Sequence, residues 1–329
     1  MGAAAVETCV DDLLLGASRQ FEMLKSRLPA VARAQRTTLI AGPTGSGKDV
    51  VARALHASSP RRASPFVAVH CAALPDTLVE AEMFGHARGA FTGATHARPG
   101  LIRSAAGGTI FLDEVDSLPA GAQAKLLRFL ESGEYRAVGA DQVEHSDAWV
   151  LAATNQNLED RVARGQFRAD LMYRLAVVNL QVPALADRPE DILTLAHHFL
   201  AQATGGTKRF DDTALGALET YAWPGNVREL RHRVETAALL DEGEVIDRHA
   251  LGLPSGAREA AAPVMAHERA GLEDDLWSLI TRDKMTLSEA MARCEQLMIR
   301  AALRAEGNNR TKAAGRLGIH VRTIFKKLP

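Results

Sequence analysis

The residues from Gly42 to Lys48 are the clearest candidate for chemistry, a glycine-rich turn that ends in lysine. Glycines let backbone N–H groups close around phosphate oxygens, and a helix that begins at such a turn adds its favourable N-terminal dipole. An apolar run precedes the turn and a helical pattern follows it, as the GxxxxGK pattern requires, so a chance glycine-rich turn is disfavoured. The predicted phosphate-binding residues are Gly42, Pro43, Thr44, Gly45, Ser46, Gly47 and Lys48.

Acidic residues stand at two positions that suit a metal ion bound to phosphates. Asp49 occupies the place where Ser or Thr normally gives a hydroxyl to Mg²⁺, and its carboxylate either reaches the metal through water or caps the helix. Asp113 and Glu114 end the apolar run "TIFLDEV". Because ligands of open α/β sheets bind at the carboxyl ends of the strands, we expect Asp113 to hold Mg²⁺ and Glu114 to polarise the attacking water.

Further polar residues follow the later strands. Asn155 ends the run "DAWVLAATN", where it would sense a γ-phosphate or act in an ordinary strand-end turn. Arg168 and Arg174 either stabilise the transition state at a neighbouring subunit's site or form local ion pairs on a solvated helix face. Arg228 begins a helix after a Trp-Pro-Gly turn, and it either contacts the nucleotide or pairs with a nearby glutamate.

Alternation of short apolar runs with helical stretches predicts a parallel, doubly wound α/β sheet. Strand-like runs stop at about Arg188, and amphipathic helices indicate a small all-helical part as far as Gly252. The stretch 253–271 is rich in Ala, Gly and Pro, as a linker is. The expected division is 1–187 as the α/β part, 188–252 as the helical part, 253–280 as the linker and 281–329 as a small helical domain.

Composition narrows the class of protein. With 39 Lys plus Arg against 40 Asp plus Glu, the whole chain is not a polybasic binder. Cys9, Cys71 and Cys294 show no CxxC spacing, which argues against a disulfide framework or a zinc site and favours a reducing cytoplasm. No apolar stretch approaches the roughly 18 residues that span a bilayer, so neither export nor a membrane partner is expected.

The C-terminal segment carries a local excess of positive charge. Residues 304–328 hold seven Lys and Arg against one acid, Glu306, a pattern that favours phosphate binding although some of these residues would be plain surface. Two short helices around a glycine-containing turn predict a helix-turn-helix. Base-reading and phosphate-contacting residues are expected at His320, Arg322, Thr323, Lys326 and Lys327.

The chain from about Leu15 to Leu253 resembles the AAA+ domain of bacterial enhancer-binding proteins, the activators of sigma-54 RNA polymerase. The matching strings are "GPTGSGKDVVARALH", "CAALPDTLVEAEMFGHARGAFTGA", "GGTIFLDEVDSL", "AATNQNL", "FRADLMYRL" and "WPGNVREL". The string "NNRTKAAGRLGIHVRTIFKKL" resembles the Fis-type module that ends these activators. The resemblance implies a three-layer P-loop domain, a helical lid and a C-terminal DNA-binding domain for enhancer DNA.

The segment "GAFTGA" at 89–94 is the most specific match. Taken alone, Gly89, Ala90, Phe91, Thr92, Gly93 and Ala94 form a mobile glycine-rich turn. The resemblance implies that this loop touches sigma-54, with Phe91 and Thr92 in contact and the glycines as hinges. It also implies ATP hydrolysis between subunits of a ring, a hexamer of this chain or a hetero-oligomer with a related activator, with Arg168 and Arg174 supplied by the next protomer.

The chain departs from the family pattern at three positions. Asp49 replaces the usual Glu, a mild variation. His70 stands where the family usually has an Asn thought to hold the catalytic glutamate, so we expect slower or more pH-sensitive hydrolysis. Ala137 replaces a common Arg in the second pore loop, and Arg136 beside it is the candidate substitute.

Two functions of different class fit these residues. The first is a motor that hydrolyses ATP and opens the sigma-54 polymerase complex at a promoter. The second is a DNA-binding regulator that uses nucleotide only to set its oligomeric state, which "GAFTGA" disfavours. An unfoldase or helicase loader is disfavoured by the helix-turn-helix. Because the ATPase pattern begins almost at once, we expect control by a separate protein, a partner activator or expression level.

Overall fold

The computed structural model describes residues 14–91, 94–241 and 243–253, and further along the chain Ile299, Arg310, Lys312 and Ala314. The chain divides into two compact units, Met1–Ala261 and Ala262–Pro329. In the second unit the four described residues are helical, and Ile299 and Ala314 are buried. The first unit contains the predicted phosphate-binding turn.

A five-stranded parallel sheet forms the centre of the first unit, with the strand order β2-β5-β8-β1-β9. The two strands β5 and β8 are buried along almost their whole length, which is typical of a sheet covered on both faces. This sheet confirms the predicted α/β class. The strands are β1 (Thr38–Ala41), β2 (Phe66–His70), β5 (Thr109–Asp113), β8 (Trp149–Thr154) and β9 (Val178–Gln181).

Helices cover both faces of the sheet because neighbouring strand residues point to opposite sides. Leu112 packs into one apolar cluster with Phe84 and Leu126, whereas Phe111 packs into the other with Leu28 and Leu55. The helices are α1 (Arg19–Lys25), α2 (Leu28–Ala34), α3 (Lys48–Ala57), α4 (Asp76–Phe84), α5 (Leu101–Ser104), α6 (Ala120–Ser132), α7 (Leu158–Ala163) and α8 (Ala169–Leu175). The sheet and the two helical layers on its faces therefore make a three-layer domain.

The segment from Leu185 to Leu253, here called the lid, has its own apolar core around Trp223 and Leu218. Its helices are α9 (Glu190–Thr204), α10 (Asp212–Thr220) and α11 (Asn226–Leu240). It also contains a parallel pair, β10 (Arg209–Phe210) and β11 (Val245–Ile246). The sequence predicted an all-helical part and missed this pair, because two residues per strand give no periodic signal.

Two small antiparallel pairs project from the sheet domain. β3 (Gly85–His86) pairs with β4 (Arg98–Pro99), and β6 (Glu134–Tyr135) pairs with β7 (Glu144–His145). A bridge from His86 to Val138 joins the two pairs, so the loops that they carry lie side by side. Within the described residues, no helix is both long and apolar enough to cross a bilayer.

Candidate nucleotide-binding site

The glycine-rich turn connects the end of β1 to the start of α3. Gly45 (φ +74°) and Gly47 (φ +101°) adopt left-handed conformations that glycine tolerates best. Lys48 is the first residue of α3 and only 8% exposed, and its Nζ donates to the carbonyls of Gly42 (2.8 Å) and Pro43 (3.1 Å). The lysine is therefore folded over its own loop, which holds the turn closed.

Two effects of opposite direction act on the pKa of Lys48. Burial lowers the pKa of its ammonium group, while the charges of Asp113, Glu114 and Asp49 favour the protonated form. Arg228 acts in the same direction as burial. An anionic ligand in the cleft would supply further charge that stabilises protonated Lys48.

The two acids predicted from "TIFLDEV" lie at the carboxyl end of β5. Glu114 has a left-handed backbone (φ +53°), unusual for a residue with a side chain, and its N–H donates to Asp113 Oδ1 at 3.1 Å. The neighbouring strand β2 ends in register, with His70 opposite Asp113. His70 Nδ1 lies 3.5 Å from Asp113 Oδ2, and its Nε2 lies 3.8 Å from Glu114 Oε2. One imidazole thus faces both carboxylates.

A cleft of about 230 Å³ brings the glycine-rich turn, the two acids and the lid together. Of the sequence-predicted residues it includes Asp49, Arg228 and the two acids, but only part of the turn, since Gly42, Pro43 and Ser46 are not among its lining residues. Glu229 and Glu235 pair with Arg233 and Arg231, respectively, rather than with Arg228. The lining residues are Thr44, Gly45, Gly47, Lys48, Asp49, Val50, Asp113, Glu114, Phe199, Val227, Arg228 and Arg231.

Sequence reasoning missed Val50, Phe199, Val227 and Arg231 in this cleft. The sequence could have indicated Arg231, since a helical residue three positions after Arg228 lies on the same face of the helix. Phe199 carried no signal, because it comes from another lid helix. An adjoining pocket of about 240 Å³ has mixed walls, in which apolar side chains such as Leu14 and Phe21 stand beside polar ones such as Gln202, and this mixture suits a flat heteroaromatic base.

Asn155 contacts the turn, whereas the two predicted arginines do not line the cleft. Asn155 Nδ2 donates to Thr44 Oγ1 at 2.8 Å. Among the described residues, Arg168 pairs with Asp170 (2.8 Å) and Arg174 lies 3.9 Å from Glu131. Both pairs are exposed, so they contribute little stability. The arginine side chains are therefore on the surface, outside the cleft of their own chain.

The described part of the "GAFTGA" loop contacts the neighbouring loop and one histidine. Phe91 is 38% exposed, and its ring centroid lies 5.1 Å from that of His86. The Gly89 N–H donates to the Ala94 carbonyl at 2.8 Å, and Gly89 has φ +80°. A side chain on Gly139 would meet Ala90 at 2.9 Å, so the two loops are in close contact. Thr92 and Gly93 lie outside the described residues.

The predicted DNA-contacting residues also lie outside the part of the chain that the structure describes. They are His320, Arg322, Thr323, Lys326 and Lys327.

A glycine-rich turn before a helix, acids at the end of a nearby strand and a helical lid over the cleft define a P-loop nucleotide-binding protein of the AAA+ type. Sequence models of known families match three consecutive segments: the sigma-54 interaction domain at 14–181, the AAA+ ATPase lid domain at 186–266 and the bacterial regulatory protein, Fis family, at 284–329. The chain belongs to the sigma-54 interaction domain family. The resemblance found in its motifs is confirmed, as are the lid and the C-terminal helix-turn-helix class.

The relatives are transcription regulators. Nitric oxide reductase transcription regulator NorR1 of Cupriavidus necator is 42% identical over 334 residues, covering 96% of this chain and 63% of NorR1. Response regulator protein PilR of Pseudomonas aeruginosa is 41% identical, covering 98% of this chain and 71% of PilR. The crystal structure of NtrX from Brucella abortus in complex with ADP matches with a TM-score of 0.71 and 32% identity, covering 96% of this chain and 68% of NtrX. This chain spans less than two thirds of the length of NorR1.

The first prediction concerns Cys71, which follows His70 and is buried. Burial, with the negative charges of Asp113, Asp116 and Glu114, raises the pKa of its thiol to about 12. Because only the thiolate reacts, alkylation by iodoacetamide at pH 8 should be about a thousandfold slower in the native chain than in urea. The measurement uses a chain with Cys9→Ser and Cys294→Ser, so that Cys71 is the one cysteine whose alkylation is measured. A native rate within tenfold of the urea rate would contradict this environment.

Proposed function

We propose that this chain is an ATP-hydrolysing activator that remodels sigma-54 RNA polymerase and binds upstream DNA in the cytoplasm. The observation that carries the proposal is the single cleft that unites the glycine-rich turn, Asp113 and Glu114 in a chain of the sigma-54 interaction domain family. The division into 1–187, 188–252, 253–280 and 281–329 is part of the same proposal.

The cleft fits a nucleoside triphosphate. Backbone at Gly45 and Gly47 and the Lys48 ammonium group suit phosphate oxygens. The Ser46 hydroxyl is buried without a hydrogen-bond partner, and it lines the adjoining pocket next to the turn. A buried polar atom of this kind suits a ligand with polar edges. Adenine in that pocket and phosphates at the turn would occupy both spaces, which supports ATP as the ligand.

Asp113 is the candidate protein ligand for Mg²⁺, which supplies charge neutralisation on the phosphates when bound. One or two carboxylates with phosphate oxygens suffice for this ion, and the described residues contain no group of three acids, histidines or cysteines suited to a metal. Asp49 lines the same cleft and remains the second candidate. Glu114, next to Asp113, accepts a hydrogen bond from the attacking water and polarises it.

His70 stands at the position where the family usually has Asn, which carries a neutral amide. It faces both carboxylates at 3.5 and 3.8 Å, so its ring competes with water and metal for the same oxygens. We therefore retain the expectation of slower or more pH-sensitive hydrolysis. The direct test compares the pH–rate profile of ATP hydrolysis by His70→Asn with that of the intact chain, and identical profiles would contradict the expectation.

The surface position of Arg168 and Arg174 supports action in a neighbouring copy of the chain. Neither side chain lines the cleft, and within the described residues each makes an exposed ion pair. An arginine supplied by a second subunit stabilises transition-state charge in other phosphoryl transfers. The proposal is thus a ring, a hexamer of this chain or a mixed ring with a related activator. Asn155 and Arg228 would contact the nucleotide within one subunit.

A subunit-mixing experiment checks the ring. Arg174→Ala and Glu114→Gln chains alone should each hydrolyse ATP at least about 100-fold more slowly than the intact chain. Mixed in equal amounts they should recover about one quarter of the intact rate, because half of the sites keep Glu114 and half of those face an intact arginine in a head-to-tail ring. No recovery on mixing would show that Arg174 acts within its own subunit, and a near-intact rate from Arg174→Ala alone would show that it takes no part in hydrolysis.

The loop at 89–94 is the proposed contact with sigma-54. Exposure of Phe91 beside a glycine hinge makes it available to a partner, and Thr92 is the second proposed contact. The C-terminal residues His320, Arg322, Thr323, Lys326 and Lys327 are proposed to bind DNA. Regulation by a separate protein is compatible with this arrangement.

The test of the proposed function is transcription from a sigma-54 promoter in a purified system with ATP. The intact chain should release transcripts, and Thr92→Ala should hydrolyse ATP without releasing any. Thr95→Ala is the matched control, since Thr95 is exposed just outside the loop and its substitution should leave transcription intact. ATP hydrolysis without transcripts from the intact chain would favour the second function, a regulator that acts by occupying DNA.

A further inference from the structure

Three donors of the lid bind three successive carbonyl groups of the glycine-rich turn. Two donors are side chains and one is a backbone N–H, and they come from the first residues of the lid and from the start of α11. We call them the lid clamp. Its hydrogen bonds are Asn226 Nδ2 to the Thr44 carbonyl (2.9 Å), the Arg228 N–H to the Gly45 carbonyl (3.2 Å) and Arg188 Nη2 to the Ser46 carbonyl (2.9 Å).

The clamp determines the direction of two N–H groups. In a trans peptide the carbonyl and the next residue's N–H point to opposite sides. Asn226 holds the carbonyl that precedes Gly45, and Arg188 holds the carbonyl that precedes Gly47. Both glycines line the nucleotide cleft, and without side chains they do so by backbone atoms. By binding the Thr44 carbonyl, Asn226 therefore directs the Gly45 N–H away from itself. Arg188, which binds the Ser46 carbonyl, directs the Gly47 N–H away in the same manner.

Asn226 is oriented by a second hydrogen bond. It is 4% exposed, and its Oδ1 accepts the Leu185 N–H at 2.8 Å. Because the oxygen faces Leu185, the amide nitrogen must face the Thr44 carbonyl. Asn226 has φ +52° and Trp223, three residues before it, has φ +50°. A buried tryptophan in this conformation is strained, so the turn holds an unfavourable shape that brings Asn226 to the glycine-rich turn.

Arg188 is fixed by the segment that precedes the sheet. It is 2% exposed, and its guanidinium carbon lies 4.5 Å from the centre of the Phe21 ring. Asp191, close to it in the first turn of α9, is fully buried and accepts hydrogen bonds from the Ala17 N–H, the Ser18 N–H and the Ser18 hydroxyl. The start of α9 thus binds the N-terminal segment and the glycine-rich turn together.

Close backbone packing accompanies the clamp. A side chain on Gly45 would lie 2.3 Å from the Gly225 carbonyl oxygen, so the turn and the lid touch without intervening side chains. Any displacement of the lid must break the clamp before the two backbones separate.

We propose that Asn226 and Arg188 are positioning residues for phosphate binding: the lid orients the glycine N–H groups before nucleotide arrives, and the affinity for the β-phosphate depends on the lid. The inference rests on the proposed nucleotide function. By linkage, a bound β-phosphate stabilises lid docking by the same factor. Movement of the lid would then weaken phosphate binding through the orientation of the glycine N–H groups, in addition to moving Arg228, which lines the same cleft.

The test compares the affinity of the full chain for ADP with its affinity for AMP, both measured by isothermal titration calorimetry with Mg²⁺. Asn226→Gly tolerates the left-handed backbone and removes both hydrogen bonds. Asn226→Asp keeps the acceptor for the Leu185 N–H and loses the donor to Thr44. We expect both variants to lower the ADP-to-AMP affinity ratio about fivefold to twentyfold, since each loses a hydrogen bond that orients the N–H groups of the glycine-rich turn.

Two controls separate this effect from charge and from lid stability. Asn226→Gly is the control for charge: it adds no carboxylate, so a loss of similar size in Asn226→Gly and Asn226→Asp excludes repulsion, which salt would screen poorly at a site only 4% exposed. Leu218→Ala lowers the stability of the lid core without touching the turn, and it should lower the melting temperature while keeping the ratio.

An intact chain that binds ADP and two Asn226 variants with a ratio within twofold of it would overturn the inference. So would an equal loss in Leu218→Ala, because lid stability alone would then account for it. An intact chain that binds neither nucleotide would overturn the proposed function together with the inference.

Discussion

The parallel pairing of β5 with β2 and β8 is the constraint on which the site depends. Because all three strands run in one direction, their carboxyl ends meet at one edge of the sheet, where the glycine-rich turn also begins. The register that pairs His70 with Asp113 sets the imidazole against both acids. A shift of one residue would turn every side chain of the strand to the opposite face, so burial of Phe111 and Leu112 on opposite sides also fixes the chemistry.

One continuous stretch joins this edge to the exposed loop. From His70 the chain passes through a short 3₁₀ turn and α4 to β3, where His86 contacts Phe91. The 89–94 loop also touches the loop that contains Gly139. The proposed motor needs a change at the acids to reach the loop, and this stretch connects the loop to His70, whose ring faces both acids. At the same edge the lid binds the carbonyl groups of the glycine-rich turn.

Local patterns predicted much of the architecture, because each depends on neighbours in sequence. The strand, turn and helix around Lys48 and the acids at the end of β5 follow from glycine spacing and apolar runs, and the family follows from motifs such as "GAFTGA". The contacts of Arg188 and Asn226 were not predictable, since they join the turn to residues 142 and 182 positions away. The left-handed backbone of Glu114 likewise arises from tertiary packing and not from residue type. The roles assigned to individual site residues stay predictions.

The central claim is that one cleft both binds ATP and activates water for its hydrolysis. The most direct measurement is ATP binding and hydrolysis by the intact chain, Lys48→Ala and Glu114→Gln in parallel. The account predicts that Lys48→Ala loses binding, whereas Glu114→Gln binds ATP within about threefold of the intact chain and hydrolyses it at least about 100-fold more slowly. Near-normal hydrolysis by Glu114→Gln, or undiminished binding by Lys48→Ala, would contradict it.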